Sequence, residues 1–81
     1  IYAEAAHIQP LGAPHHGPDV IENILCLCPN HHVMLDYGGF SILEDFSLIG
    51  TSGKLKVHLK HRVGKKYLRY HLTHFYDEKN R

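Results

Sequence analysis

The apolar positions of this chain fall into short runs separated by strong turn signals. "YAEAAHI" (2–8) is brief and apolar and stops at Gln9-Pro10, which predicts a strand. "QPLGAPHHGPDVIEN" (9–23) contains three of the four prolines and two glycines, which predicts a long irregular loop. Loops of that length tend to be functional or disordered. "ILCLC" (24–28) is a continuous apolar run of strand length. Pro29-Asn30 ends it and can open a helix, and "HHVMLD" gives about two helical turns before Tyr37-Gly38-Gly39 stops them. "FSIL" (40–43) and "FSLIG" (46–50) are short strand-like runs, and "GTSG" (50–53) is a turn. "KLKVHLKH" (54–61) sets Leu55, Val57 and Leu59 against Lys54, Lys56, His58 and Lys60, the alternation of a half-buried strand. Residues 65–81 close the chain as a helix, with Leu68, Leu72, Phe75 and Tyr76 on one stripe and Lys65, Lys66 and Arg69 on its other side. Within "ILCLC", alternation puts Ile24, Cys26 and Cys28 on one face, and Cys26 is expected to pack as a small core residue.

The order strand, long loop, strand, short helix, strands, helix makes this an α+β chain. At 81 residues it is one small domain or a piece of a larger protein. A core of that size is thin and often needs a metal or disulfide staple. Cys26 and Cys28, its only cysteines, are too close for an ordinary disulfide loop, so they give no sign of an oxidising compartment. No signal-peptide pattern and no apolar run of membrane-spanning length occurs, so no membrane partner is expected.

The net charge of +1 conceals a separation. Residues 1–53 contain no Lys or Arg but six acids, Glu4, Asp19, Glu22, Asp36, Glu44 and Asp45, together with five of the nine histidines. All nine basic residues follow, against Asp77 and Glu78 alone. An acidic, histidine-rich half suits cation binding, and a basic half suits a polyanion such as nucleic acid. The alternative is that the halves merely attract each other or solvate the surface. His32 and Asp36, four apart on the short helix, share a face, and imidazole nitrogen with carboxylate oxygen suits zinc or another divalent ion. The same pair also fits a surface hydrogen bond.

The stretch "EAAHIQPLGAPHHGPDVIENILCLCPNHHVMLDYGGFSI" resembles the HNH endonucleases, the ββα-metal nucleases, and most of all the type fused to SRA domains in prokaryotic restriction enzymes that cut DNA carrying modified cytosine. The match is dense over residues 2–42, and "SLIGTSGKL", His61 and "YH" at 70–71 are similar to the tail of those nucleases. The resemblance implies a single HNH nuclease domain over 1–81 that is the C-terminal part of a longer protein. Its ββα-metal core spans 2–37, and 40–81 adds a small hairpin or sheet and a basic C-terminal helix. It implies His7 as general base, Asn23 as the residue that ties the loop and orients the base, His32 as a metal ligand, and Asp36 as a second ligand one turn on. The activity implied is hydrolysis of phosphodiester bonds in double-stranded DNA with one divalent ion (Mg, Mn, Ni or Zn). Target choice would come from an upstream recognition domain such as SRA, a homodimer would cut both strands, and the setting is the prokaryotic cytoplasm. Lys54, Lys56, Lys60, Lys65, Lys66 and Arg69 are the candidate contacts to the DNA backbone.

Cys28 and His31 have the C-x-x-H spacing of half a structural zinc site. Relatives often complete it with a Cys pair ahead of the first strand. Here the pair either precedes Ile1 in a longer chain or is absent, and Cys28 and His31 only pack. The sequence also departs from the family pattern at Ala6, which precedes the base and cannot ligate. Glu4, on the same strand face, is a candidate substitute ligand, as are His15 and His16, the other alternative being a coordination sphere completed by water and phosphate, and Gln9 stands where relatives often have Arg. The competing function is a non-catalytic, zinc-stapled module that binds nucleic acid or protein.

Overall fold

The computed structural model describes residues 3–53 and 62–77. Strand β1 (Glu4–His7) pairs antiparallel with β2 (Ile24–Leu27), in the register Glu4↔Leu27, Ala5↔Cys26, Ala6↔Leu25 and His7↔Ile24. Helix α1 (Pro29–Asp36) follows at once. A second two-stranded antiparallel sheet is built from β3 (Ser41–Ile42) and β4 (Leu48–Ile49), and α2 (Lys65–His71) continues into a π-helical turn over Leu72–Asp77. The architecture is therefore α+β, with two small sheets among the described residues and a C-terminal helix. The "KLKVHLKH" strand expected at 54–61 lies outside the described residues.

Local chemistry accounts for these boundaries. Pro29 occupies the first position of α1, where a missing N–H costs nothing. Gly38, at φ 72°, closes the helix: its N–H reaches the Leu35 carbonyl at 3.2 Å, and Gly39 N–H reaches the Met34 carbonyl at 2.8 Å. This is a Schellman closure, which needs a left-handed residue and so favours glycine. The core joins both hairpins to the helices through Ala6, Ile8, Leu25, Leu27, Leu35, Phe40, Ile42, Tyr67 and Leu68. Leu25 and Leu27 take the inward face of β2, so Cys26 is exposed and not the core residue expected from its neighbours. In "ILCLC" two leucines outweigh the face shared by one isoleucine and two cysteines.

The closing helix also buries a different stripe from the one expected. Tyr67, Leu68 and His71 are buried, whereas Leu72, Phe75 and Tyr76 are half-buried. A π-helical turn has a longer repeat than an α-helix, so the stripe drifts once it begins at Leu72.

His71 is one of three buried polar residues among the described residues, with Asn23 and Ser41. Its Nε2 donates to the Leu35 carbonyl at 2.6 Å, which leaves Nδ1 to accept from the Ser41 hydroxyl at 2.7 Å, and its ring stacks on Phe75 at 4.8 Å. Burial holds its pKa below the ordinary 6.5, opposed in part by the Leu35 bond and the nearby Asp36 carboxylate. Leu35 is the one buried residue of α1, so this contact fixes the helix C-terminus to both α2 and β3. Replacement by Phe would keep the ring but leave Ser41 buried without its acceptor, and should destabilise by about 1–3 kcal/mol at pH 7. Because the folded-state pKa is lowered, the unfolded chain takes up the proton first. The His71 contribution is complete above pH 6.5 and is lost as pH falls from there toward the folded-state value. Urea unfolding of wild type and His71→Phe at pH 7.5 and pH 5 should show the stability gap narrowing in acid.

Candidate active site

The loop between β1 and β2 is organised by Asn23, whose side chain is fully buried. Its Oδ1 accepts the Gln9 N–H at 2.8 Å, and its Nδ2 donates to the carbonyls of Gln9 and Pro18, each at 2.9 Å. The Asn23 carbonyl accepts the Ile8 N–H at 2.9 Å, extending the hairpin past His7. Gly17 completes the fold of the loop. Its N–H reaches the Pro10 carbonyl at 2.7 Å, and a Cβ there would stand 2.0 Å from the Gln9 carbonyl oxygen. The loop also docks on the C-terminal helix through His15, whose Nδ1 lies 2.6 Å from the Tyr70 hydroxyl and whose ring sits 4.8 Å from that of Phe75. His16, on the same loop, is exposed.

His7, at the end of β1, and His32 and Asp36, on α1, line one cavity of about 260 Å³. Ala5, Pro10, Leu11 and Phe75 complete its wall. His7 Nε2 is 2.9 Å from the Asp19 carboxylate. An ionised carboxylate only accepts, so Nε2 carries the proton and, in the neutral ring, Nδ1 holds the lone pair. The sequence reading singled out His7 but not Asp19. Its only signal is a carboxylate four residues before Asn23 in a loop bound to lie near His7.

His32 stands between two carboxylates. Glu4 Oε1 is 3.0 Å from Nδ1, and Asp36 Oδ2 is 3.4 Å from Nε2. A neutral imidazole has one N–H, which satisfies one of these acids and turns a lone pair toward the other. A neutral ring that donates to Glu4 turns its Nε2 lone pair toward Asp36, and these two would hold a cation. That donor set, one nitrogen and one carboxylate oxygen, fits a divalent ion whose other positions water or phosphate would fill. Glu4 meets the opposite ring nitrogen from Asp36. Among the described residues, no three His, Cys, Asp or Glu side chains form a metal-binding group.

Cys28 Sγ is 2.9 Å from His31 Nδ1, and His31 sets its ring edge against Phe40 at 6.0 Å. The hydrogen bond from the His31 side chain lowers the thiol pKa, aided by the His31 backbone N–H. Both expected members of a half zinc site are thus adjacent, on the opposite turn of α1 from Asp36.

Of the expected DNA contacts, Lys54, Lys56 and Lys60 lie outside the described residues. Lys65 and Lys66 are exposed, and neither takes part in an ion pair with any described residue; the Lys66 ammonium lies 5.1 Å above the Tyr67 ring. Arg69 is exposed but engaged, its Nη1 2.9 Å from Glu44 Oε1. Among the described residues no helix is long and apolar enough to cross a membrane.

No curated protein sequence matches this one. The solved structure of a modification-dependent TagI restriction endonuclease matches with a TM-score of 0.85 and 42% identity, over 91% of this chain and 28% of that one. The chain thus spans little more than a quarter of that relative. The family model for HNH endonucleases matches residues 1–43, which include His7, the clamped loop, Asn23, and both His32 and Asp36. With more than half of its length in that match, the chain belongs to the HNH endonuclease family.

Proposed function

We propose that this chain is the metal-dependent DNA-cleaving module of a restriction enzyme that acts on modified DNA. The observation that carries the reading is the convergence of His7, His32 and Asp36 on one cavity in a chain of the HNH family. Phosphodiester hydrolysis needs a base for water and positive charge for the phosphate. His7 is the base, taking the proton of the attacking water on Nδ1. His32 Nε2 and Asp36 hold a divalent ion, which when bound supplies positive charge to the phosphate and the leaving oxygen. Glu4, on His32 Nδ1, acts as the outer carboxylate that fixes the ring's tautomer and direction, and not as a ligand. Asn23 holds the loop that shapes the cavity. The ββα-metal core occupies 2–37, within a domain of 1–81.

The remaining assignments rest on the same family reading. The relative's modification dependence suggests that target choice belongs to a recognition domain elsewhere in the protein, such as an upstream SRA domain, with cleavage of both strands by a homodimer in the prokaryotic cytoplasm. Cys28 and His31 would hold a structural zinc ion together with ligands from outside the described residues. The non-catalytic alternative is disfavoured because a binding module has no use for a base and a metal pair sharing one cavity.

If His7 is the base, His7→Ala should slow nicking of supercoiled DNA by about 10²–10⁴-fold, the usual loss for a general base. Its affinity for Mn²⁺ should stay unchanged. Wild-type nicking by this variant would remove His7 from the mechanism.

The ion site has its own test. His32→Ala should lower Mn²⁺ affinity in calorimetry and abolish cleavage, and Glu4→Gln should weaken the ion by about 10–100-fold, as loss of an outer carboxylate does. Unaltered affinity in His32→Ala would place the ion elsewhere.

Lys65 and Lys66 sit in the first turn of α2, where a positive charge opposes the helix dipole, so helix stability does not explain them. As phosphate contacts, each would contribute about −0.9 to the log–log slope of DNA affinity against salt. The double Ala variant should flatten that slope without altering sequence preference. A variant that folds normally and retains the wild-type slope would assign DNA contact to other residues.

A further inference from the structure

The hydrogen bonds of the loop form a connected path. Asn23 Nδ2 holds the Pro18 carbonyl at 2.9 Å, Pro18 precedes Asp19, and Asp19 Oδ1 meets His7 Nε2 at 2.9 Å. The asparagine therefore acts on His7 through a carboxylate, and not by touching the ring. We infer that Asp19 is the positioning residue of His7, an acid at the far ring nitrogen that holds the imidazole with its Nδ1 lone pair available to water. The inference rests on His7 being the base.

Three features of the site favour a role in positioning over one in stability. The Asp19 side chain is 72% exposed, so its burial contributes little to the fold, whereas the His7 side chain is 26% exposed and faces the cavity. Among the described residues Asp19 forms an ion pair with His7 alone. Asn23 holds the backbone on either side of it, the Pro18 carbonyl through its side chain and the Val20 carbonyl through its N–H, each at 2.9 Å, so the carboxylate is held in register with the ring and does not search for it. A fixed acid on the remote nitrogen sets the tautomer of a catalytic imidazole and stabilises the imidazolium formed when it accepts the proton.

The test uses the natural full-length protein, labelled with ¹⁵N in its histidine rings, and supercoiled plasmid as substrate with Mn²⁺. Wild type should show a ring N–H of His7 protected from solvent exchange, identified by its absence from His7→Gln. Asp19→Ala should lose that signal, keep the circular dichroism and KM of wild type, and lower kcat by about 10–100-fold, the range for an outer carboxylate. Asp19→Glu should recover much of both the signal and the rate, because its carboxylate can still reach the ring from an exposed loop. Asn23→Gln should lose the signal with Asp19 intact. An Asp19→Ala variant that retains the wild-type rate while His7→Ala is inactive would overturn the role of Asp19 and leave the base in place. A slower Asp19→Ala that keeps the protected ring proton would overturn it as well, since the loss would not pass through His7. Wild-type cleavage by His7→Ala would remove the base, and the function inferred for Asp19 with it.

Discussion

The three hydrogen bonds of the buried Asn23 side chain are the constraint on which the rest of the site depends. A loop rich in proline and glycine has no ladder of its own to satisfy its backbone, and buried carbonyls without donors are costly. Asn23 supplies one acceptor and two donors, and all three are used on backbone groups at opposite ends of the loop. Aspartate has the same shape and no donor, so it would leave the Gln9 and Pro18 carbonyls facing a carboxylate. Side-chain chemistry, not size, fixes the residue type. The result is a loop that exits β1 immediately after His7 and returns with Asp19 beside it.

The histidines among the described residues serve different ends because their surroundings differ. His71 is buried, neutral and fully bonded, and links α1 to α2 and β3. His15 fastens the loop to Tyr70 and Phe75. His31 lies against the Cys28 sulfur, and His32, its neighbour in sequence, turns to Glu4 and Asp36. One position along an α-helix rotates the side chain by about 100°, which suffices to separate the two. The paired histidines of "PNHH" thus face different partners because they are adjacent.

The sequence made much of this legible where spacing or order carries the information. Period and breakers placed both strands of the first hairpin, the short helix and the start of the closing helix within a residue or two. The i,i+4 spacing of His32 and Asp36 put them on one face, whereas the inward face of β2 was misjudged, because alternation alone does not say whether the leucines or the cysteines turn to the core. Asp19 was not legible, because a loop has no periodicity to say which side chains converge. Neither was the role of His71, since hydropathy favoured its neighbour Leu72 for the buried stripe. A histidine with both nitrogens bonded packs like an apolar ring, and only the positions of Ser41 and the Leu35 carbonyl reveal that it can. Nor does sequence tell which nitrogen of His32 meets Glu4, which separates a ligand from the residue that orients one.

The separation of charge along the chain gains meaning from these contacts. Glu4 and Asp36 place two negative charges on one imidazole, an arrangement that a neutral ring cannot satisfy alone. On the proposed function, a cation held by His32 and Asp36 would offset part of this charge. Asp19 adds a third acid on the His7 side. On the same reading a phosphate has to approach past these acids, and the chain places all of its Lys and Arg beyond residue 53, after six of its eight acids. Arg69 is neutralised by Glu44, whereas Lys65 and Lys66 are exposed at the start of α2 without a carboxylate from the described residues. On the proposed function, a metal held by His32 and Asp36 would offset the acids of the cleft as a DNA phosphate approaches, with Lys65 and Lys66 as positive charges outside it.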